Sequence, residues 1–243
     1  FAAGVNKGLA RALAGPWEWT LLVNNDATVA PDALPRLVAA AGRGRVGLLA
    51  PTIFLTDRPR VVWPGAGWRR PITLAAFDST ANPPARGEAY DVDWAAACCL
   101  LVRRGVWDDV GLLDEAFWFY YEDHDLCLRA QAAGWRILHV PGATAHHRVA
   151  SSTGLGTPGQ MYLLGRSSVA FFARHTAGWQ RTIIVPYRLG SLTRVLLASL
   201  VRRQGRSGWA YLRGVVAGLA DLRSGAPAAA PAALGQDQPV RSP

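Results

Sequence analysis

"WEWTLLVNNDA", residues 17 to 27, is the stretch on which the fold turns. Its first seven residues form a short, mostly apolar run of strand length, and the run stops at Asn24, Asn25 and Asp26, residue types that favour turns. On its N-terminal side, "AGVNKGLARALAG" puts Val5, Leu9 and Leu13 on one helical face and ends at Gly15 and Pro16. On its C-terminal side, Pro31 and Asp32 open a second helix through Ala41, and "RVGLLAPTIF", residues 45 to 54, reads as another buried strand. Helix and strand alternate. The pattern predicts an α/β fold with a mostly parallel sheet covered by helices on both faces.

Farther along, residues 56 to 90, with five prolines, predict loops and short strands. "YDVDWAAACCLLVRR" (90 to 104) reads as one long buried strand, and "GVWDDVGLLDEAF" (105 to 117) as a short helix and loop. A helix over Asp123 to Ala133 is closed by Gly134, and "WRILHV" returns as a strand that ends before Pro141. Residues 153 to about 223 are helical in pattern, and the Pro/Ala-rich stretch from Ser224 to Pro243 reads as a disordered tail.

With 243 residues, half of them apolar, the chain has material for a sizeable core. Cys98, Cys99 and Cys127 are odd in number, lie in apolar segments and lack metal-ligand spacing. They read as small core residues in a reducing compartment, with the cytoplasm as default. No run of about 18 uninterrupted apolar residues occurs and no secretory pattern opens the chain, so neither a spanning helix nor export is read. Charge is divided unevenly. Residues 1 to 147 hold 14 Lys and Arg against 15 Asp and Glu, a net of −1, whereas residues 148 to 243 hold 12 against 2, a net of +10. Such asymmetry calls for an anionic partner of the second half, nucleic acid or an anionic membrane surface.

Ligands of open α/β sheets bind beyond the carboxyl ends of strands. Three polar clusters fall at such places: "NND" at 24 to 26, "YYED" at 120 to 123 and "HH" at 146 and 147. Each has a plain structural reading, as a turn, as acids in the first turn of a helix where the macrodipole is positive, or as loop histidines. Their coincidence is the functional signal.

The order "FAAGVNKGLARA", "LLVNNDA", "DVDWAAACCLLVRR", "VGLLDEAFWFYYEDHDLCLRA", "GWRILHVPGATAHH" and "SS" resembles family 2 glycosyltransferases of the GT-A fold, especially the bacterial rhamnosyltransferase-like branch. The resemblance covers residues 1 to 152, leaving 153 to 223 as a basic helical segment and 224 to 243 as the tail. It implies an inverting transferase of cell-surface polysaccharide synthesis that moves a sugar from a nucleotide diphosphate, dTDP-rhamnose or another, to a hydroxyl of a glycan or lipid-linked acceptor. It also implies a divalent cation, Mg²⁺ or Mn²⁺, beside the departing diphosphate. Asp26 matches the final acid of the family's Asp-x-Asp position and Asn24 the first, next to Asn25. His147 matches the family's Pro-x-Ala-x-x-x-His, with His146 one register away, and an imidazole suits Mn²⁺ better than Mg²⁺. Asp123 matches the catalytic base of the Glu-Asp motif. Glu122 then hydrogen-bonds acceptor or backbone. Asp125 and Arg129, four apart on a helix, read as a supporting ion pair. Gly4 and Asn6 resemble the glycine and asparagine by which this family contacts the nucleotide or simply cap a helix, and Trp94 stands either at the acceptor side or in the core. Ala97 and Cys98 replace the small Gly-Ala pair frequent in the family.

In the basic half, Leu189, Leu192, Leu196 and Leu200 recur at helical spacing, Arg188, Arg202, Arg203 and Arg206 fall toward another side, and Tyr187 and Trp209 stand near the ends. The pattern fits an interfacial element on the inner face of the plasma membrane, or a helix packed on the catalytic domain. Other readings are a metal-dependent phosphohydrolase using Asp26, Asp123 and His147, and an inactive fragment acting as a basic membrane- or nucleic-acid-binding module. Nucleic acid fits less well, because the carboxylate-rich half repels phosphate and no recognition motif is present. Finally, the chain opens with Phe1, and the resemblance starts at the nucleotide-contacting helix. The expectation is a piece of a longer chain, lacking about 50 to 80 residues, or one or two βα units. Such a piece has an open side along "WEWTLLV" and binds donor weakly.

Overall fold

The structure is a computed structural model that describes residues 1–42, 44–78, 87–148 and 156–224. Helix α1 (Ala2–Leu13) leads to strand β1 (Trp19–Val23), a turn, β2 (Ala27–Val29), α2 (Ala33–Ala41) and β3 (Val46–Leu55). Short strands β4 (Val62–Trp63), β5 (Ala66–Arg69), β6 (Ala76–Asp78), β7 (Tyr90–Asp91) and β8 (Trp94–Ala95) follow. Then come β9 (Cys99–Arg103), α3 (Arg104–Val110), α4 (Glu122–Ala132) and β10 (Arg136–His147), and helices α5 (Pro158–His175), α6 (Gln180–Val201) and α7 (Gly205–Ser224).

The main sheet runs β1-β9-β3-β10-β2, with β4 on β3 and β7 on β10. Leu48 and Leu100 point to one face, where Leu9 of α1, Val106 of α3 and Leu126 of α4 pack. Their neighbours Leu49 and Leu101 point to the other face, under Leu37 and Ala41 of α2. The α/β class with helices on both faces therefore stands. The direction of the strands corrects the expectation: among the described residues only β3 with β10 is parallel, and the other pairings are antiparallel. An apolar run signals burial but carries no sign of direction, and β9 enters the sheet against both its neighbours. Strand β1 stands at one edge of that order, and a cleft lined by Val5, Leu9, Trp19 and Leu21 runs beside it.

Two further corrections matter for the site. "YDVDWAAACCLLVRR" is not one strand but β7, β8 and β9. Asp93 accepts the Arg69 backbone N–H on Oδ2 at 2.8 Å and donates its own N–H to Gly67 at 2.7 Å, and Ala96 donates to Gly65 at 2.8 Å. These bonds draw residues 93 to 96 into a second sheet, β6-β5-β8. Strand β10 does not stop before Pro141. Its pairing with β3 shifts register between Val140 and Thr144, and an irregularity of this kind accommodates a proline that has no N–H to give the ladder. The strand then continues and carries both histidines.

Helices α5 and α7 approach closely because glycines line their contact: a Cβ at Gly165 would lie 2.4 Å from the Tyr211 carbonyl oxygen, and one at Gly214 2.1 Å from that of Tyr162. An Arg166–Asp221 ion pair of 2.7 Å crosses the same seam. Helix α6 is looser. Only Ile184 and Ser199 are buried in it, while Val185, Leu189, Leu197 and Leu200 are exposed. By length and composition α6 is the one helix among the described residues apolar enough to cross a membrane, which counting uninterrupted apolar residues overlooks because Arg188 and Arg194 interrupt it. Ser151, Ser152 and the tail from residue 225 lie outside the described residues.

Candidate active site

A cavity of about 560 Å³ opens beyond the end of β1 and is walled by residues of the two sheets and the start of α4 on one side and by α5, α6 and α7 on another. The turn after β1 supplies Asn24 and Asp26. It is pinned by the Asn24 N–H on the Cys98 carbonyl at 2.9 Å and by the Arg148 N–H on the Asp26 carbonyl at 2.9 Å. The second of these bonds brings the end of β10 alongside. His147 faces the cavity with Nε2 3.1 Å from Asp26 Oδ1, while its Nδ1 is buried without a hydrogen-bond partner. Strand alternation turns His146 the other way, onto the Phe54 ring at 5.8 Å.

Among the described residues no three His, Cys, Asp or Glu side chains stand together in metal-holding positions. Asp26 and His147 nevertheless fit a divalent cation: a carboxylate and an imidazole, donor types such ions accept, stand together on the cavity and would be the residues to hold it.

The other acids come from the start of α4. Tyr120 and Tyr121, just before it, have φ values of 69° and 71°, a left-handed conformation costly for tyrosine. Aromatic contacts hold it: the Tyr121 ring lies 5.0 Å from Phe171 and 5.7 Å from His124. The turn delivers Asp123 to the cavity wall, where Oδ1 accepts the His124 N–H at 2.8 Å and Oδ2 the Ala97 N–H at 3.4 Å. Glu122 beside it is buried and its Oε2 has no hydrogen-bond partner. Burial, and then the neighbouring Asp123, push the Glu122 carboxyl up to about 8, so it holds its proton at neutral pH. His124 is the counterpart: burial lowers it to about 4, leaving a neutral ring whose Nδ1 accepts from Arg69 Nη2 at 3.1 Å. The Trp94 ring, also on the cavity, lies 4.9 Å from that imidazole.

Not every candidate from the sequence comes to this place. Gly4, Asn6 and Asn25 do not line the cavity. The Asn6 amide is occupied elsewhere, donating to the Leu113 carbonyl at 2.8 Å and to Glu115 at 3.0 Å and accepting the Leu113 N–H at 3.1 Å, so it ties α1 to the loop after α3. Asp125 points away into the core, bonded to Arg129 Nε at 2.7 Å and His175 Nε2 at 2.8 Å. Arg129 also donates to the carbonyls of Val110 and Leu112. Conversely, sequence reading missed Arg69 and set Arg188 only on the side of its helix away from the leucines, with no place in the site, whereas Arg188 lines the cavity. Nothing local marks either one, since their places are set by contacts with residues distant in sequence.

A family model described as glycosyltransferase like family 2 matches residues 2–180. Over 236 residues the chain is 31% identical to the N-acetylglucosaminyl-diphospho-decaprenol L-rhamnosyltransferase of Mycobacterium tuberculosis, covering 85% of this chain and 75% of that one. A shorter stretch of 56 residues is 43% identical to rhamnosyltransferase WbbL of Escherichia coli, covering 23% and 21% of the two chains. Among solved structures, the mannosyltransferase PcManGT of Pyrobaculum calidifontis, in complex with GDP-Man and Mn²⁺, superposes with a TM-score of 0.50 at 15% identity over 91% of this chain and 67% of that one.

Proposed function

The chain belongs to glycosyltransferase family 2 and is a glycosyltransferase of the GT-A fold, and from that premise we propose that it transfers rhamnose from a nucleotide diphosphate to a hydroxyl of a lipid-linked acceptor, with inversion. The observation that carries this reading is the facing of Asp123 and of the Asp26–His147 pair onto one cavity. The acceptor hydroxyl attacks the anomeric carbon as the bond from that carbon to the diphosphate oxygen breaks, and the hydroxyl proton passes to the Asp123 carboxylate. Glu122, neutral and buried, keeps a second negative charge from standing beside that base. Trp94 and Tyr121 wall off water around the reacting sugar. Asp26 and His147 would hold a divalent cation, which when bound offsets the charge developing on the departing diphosphate.

A panel of nucleotide-sugars, assayed with Mn²⁺ for nucleoside diphosphate release, tests this. The expected result is release from dTDP-rhamnose when a polyprenyl-diphosphate glycan is supplied, and no phosphate from simple esters; phosphate release from esters would favour the hydrolase instead. Asp26→Ala should weaken Mn²⁺-dependent nucleotide binding, and His147→Ala more than His146→Ala. Equal and negligible effects of the two histidine changes would remove histidine from the site.

The second half of the reading concerns place. Helix α6 exposes Leu189, Leu197 and Leu200, Trp179 and Trp209 are more than half exposed, and Arg202 and Arg203 after α6 and Arg206 at the start of α7 are exposed. Aromatic anchors, apolar side chains and basic residues together suit the headgroup region of an anionic membrane. The protein should sediment with anionic vesicles and be released by salt, since each basic residue near the surface contributes about 1 kcal/mol that a Debye layer screens. Equal binding to neutral and anionic vesicles, or binding to neither, would remove the electrostatic part of this reading.

A further inference from the structure

Arg188 brings a positive charge to the cavity wall, and among the described residues it has no carboxylate paired with it. Its Nη2 donates to Ser168 Oγ at 2.6 Å and to the Tyr211 hydroxyl at 3.1 Å, and its Cζ lies 4.5 Å from the centre of the Phe172 ring. All three partners are neutral. Both bonds leave from one nitrogen, so Nε and Nη1 have no protein acceptor among the described residues. Tying α6 to α5 and α7 needs only a neutral donor. A half-buried guanidinium with unspent donors in a fixed fork is instead the group that matches phosphate oxygens.

The surroundings narrow the kind of phosphate. Leu164, Phe171, Phe172, Tyr187 and Tyr211 line this side of the cavity, so the charge sits in an apolar and aromatic wall. Phe172 in turn lies 6.5 Å from Tyr121, which immediately precedes Glu122 and Asp123. Arg188 is thus linked by packing to the side of the cavity that carries the base, whereas His147, bonded to Asp26, packs against Trp63. Outward along the same helix the exposed apolar residues Val185 and Leu189 flank it. A cation inside an apolar wall, continuous with an apolar helix surface, is complementary to an amphiphile whose charged phosphate joins a long hydrocarbon chain.

We propose that Arg188 forms a subsite for the diphosphate of a polyprenyl-linked acceptor, seated between α5, α6 and α7, and distinct from the place where the donor's diphosphate lies. The proposal rests on the reading of the chain as a transferase for a lipid-linked acceptor. It adds that the C-terminal helices, and not only the sheet, recognise that acceptor.

Calorimetry with geranyl diphosphate, geraniol, UDP and dTDP as probes tests it on the full chain and on Arg188→Gln, which keeps a donor for Ser168 and Tyr211 but loses the charge. R188Q should bind geranyl diphosphate at least about tenfold more weakly, the scale of one charge-assisted contact, with UDP and dTDP within about twofold of the parent. R188K, retaining the charge without the fork, should fall between. Equal affinity of parent and R188Q for geranyl diphosphate overturns the proposal, and so does a loss confined to UDP and dTDP, which would put Arg188 on the donor. If neither variant folds, the melting temperature of the parent decides: geranyl diphosphate must raise it more than geraniol does, and equal shifts overturn the subsite. No transfer is measured in these experiments. A failed donor panel would therefore count against the reaction proposed above without being mistaken for a failed subsite.

Discussion

Asp123→Asn is expected to lower turnover by at least about 10²-fold, the low end of what a positioned base contributes, while leaving the fold and donor affinity as they are. The change is nearly isosteric. Asp123 accepts two backbone N–H groups, from His124 and Ala97, and an asparagine oxygen keeps one of these bonds while the amide has no basic lone pair to take the hydroxyl proton. The start of α4 is held in addition by the aromatic contacts of Tyr121, so the local backbone does not depend on the carboxylate alone. The expected pattern is a drop in kcat with an unchanged donor Kd by calorimetry and an unchanged melting curve. Turnover within a few-fold of the parent would show that the proton goes elsewhere.

The second large effect falls on stability. Asp125→Ala should cost about 3–5 kcal/mol, the range for breaking a buried ion pair by removing one partner. Asp125 is fully buried, and its loss leaves Arg129 and His175 facing an empty site in the core. The effect carries a pH signature. Burial raises the Asp125 carboxyl, but the hydrogen bond from His175 and the charge of Arg129 outweigh it, and the folded value lies below the ordinary 3.8. For an acid depressed in this way, the stabilisation is present above the unfolded value and is lost as pH falls through the folded one. Denaturant unfolding of parent and variant should therefore differ most at neutral pH and converge in strong acid. A gap that stays constant down to the acid limit would separate the loss from the carboxylate's charge.

These two residues, two positions apart, show how far the sequence could be read. The acid cluster at 122 to 125 is visible as a motif at the head of an apolar helix, but which acid faces the cavity and which faces the core follows from helical phase and from partners such as His175, fifty residues away. Buried segments were legible in the same partial sense. The runs at β1, β3 and β9 announce that they are interior, since both faces of the sheet are covered by helices. They do not announce direction, and so a mixed, mostly antiparallel sheet reads as a parallel one. The split of residues 90 to 103 into three strands depends on hydrogen bonds from Asp93 and Ala96 to Gly67 and Gly65, which no periodicity within the segment reveals. Helical spacing sets Arg188 only on the side of its helix away from the leucines, and its real surroundings come from Ser168 and Tyr211 on two other helices.

The left-handed pair Tyr120–Tyr121 bears on when ordering is done. Two consecutive tyrosines in that conformation are disfavoured in a free chain, and here Tyr121 packs against Phe171 and His124, and Tyr120 against Phe119, before any substrate arrives. The segment carrying the base is then already rigid, and an arriving sugar does not have to spend its contact energy on freezing a loop. A chain with glycines at these two positions would adopt the turn more readily but would also leave it more readily. Part of every encounter would then be lost waiting for the acid to come into line, which makes the strained pair a device for shortening the interval between capture and chemistry.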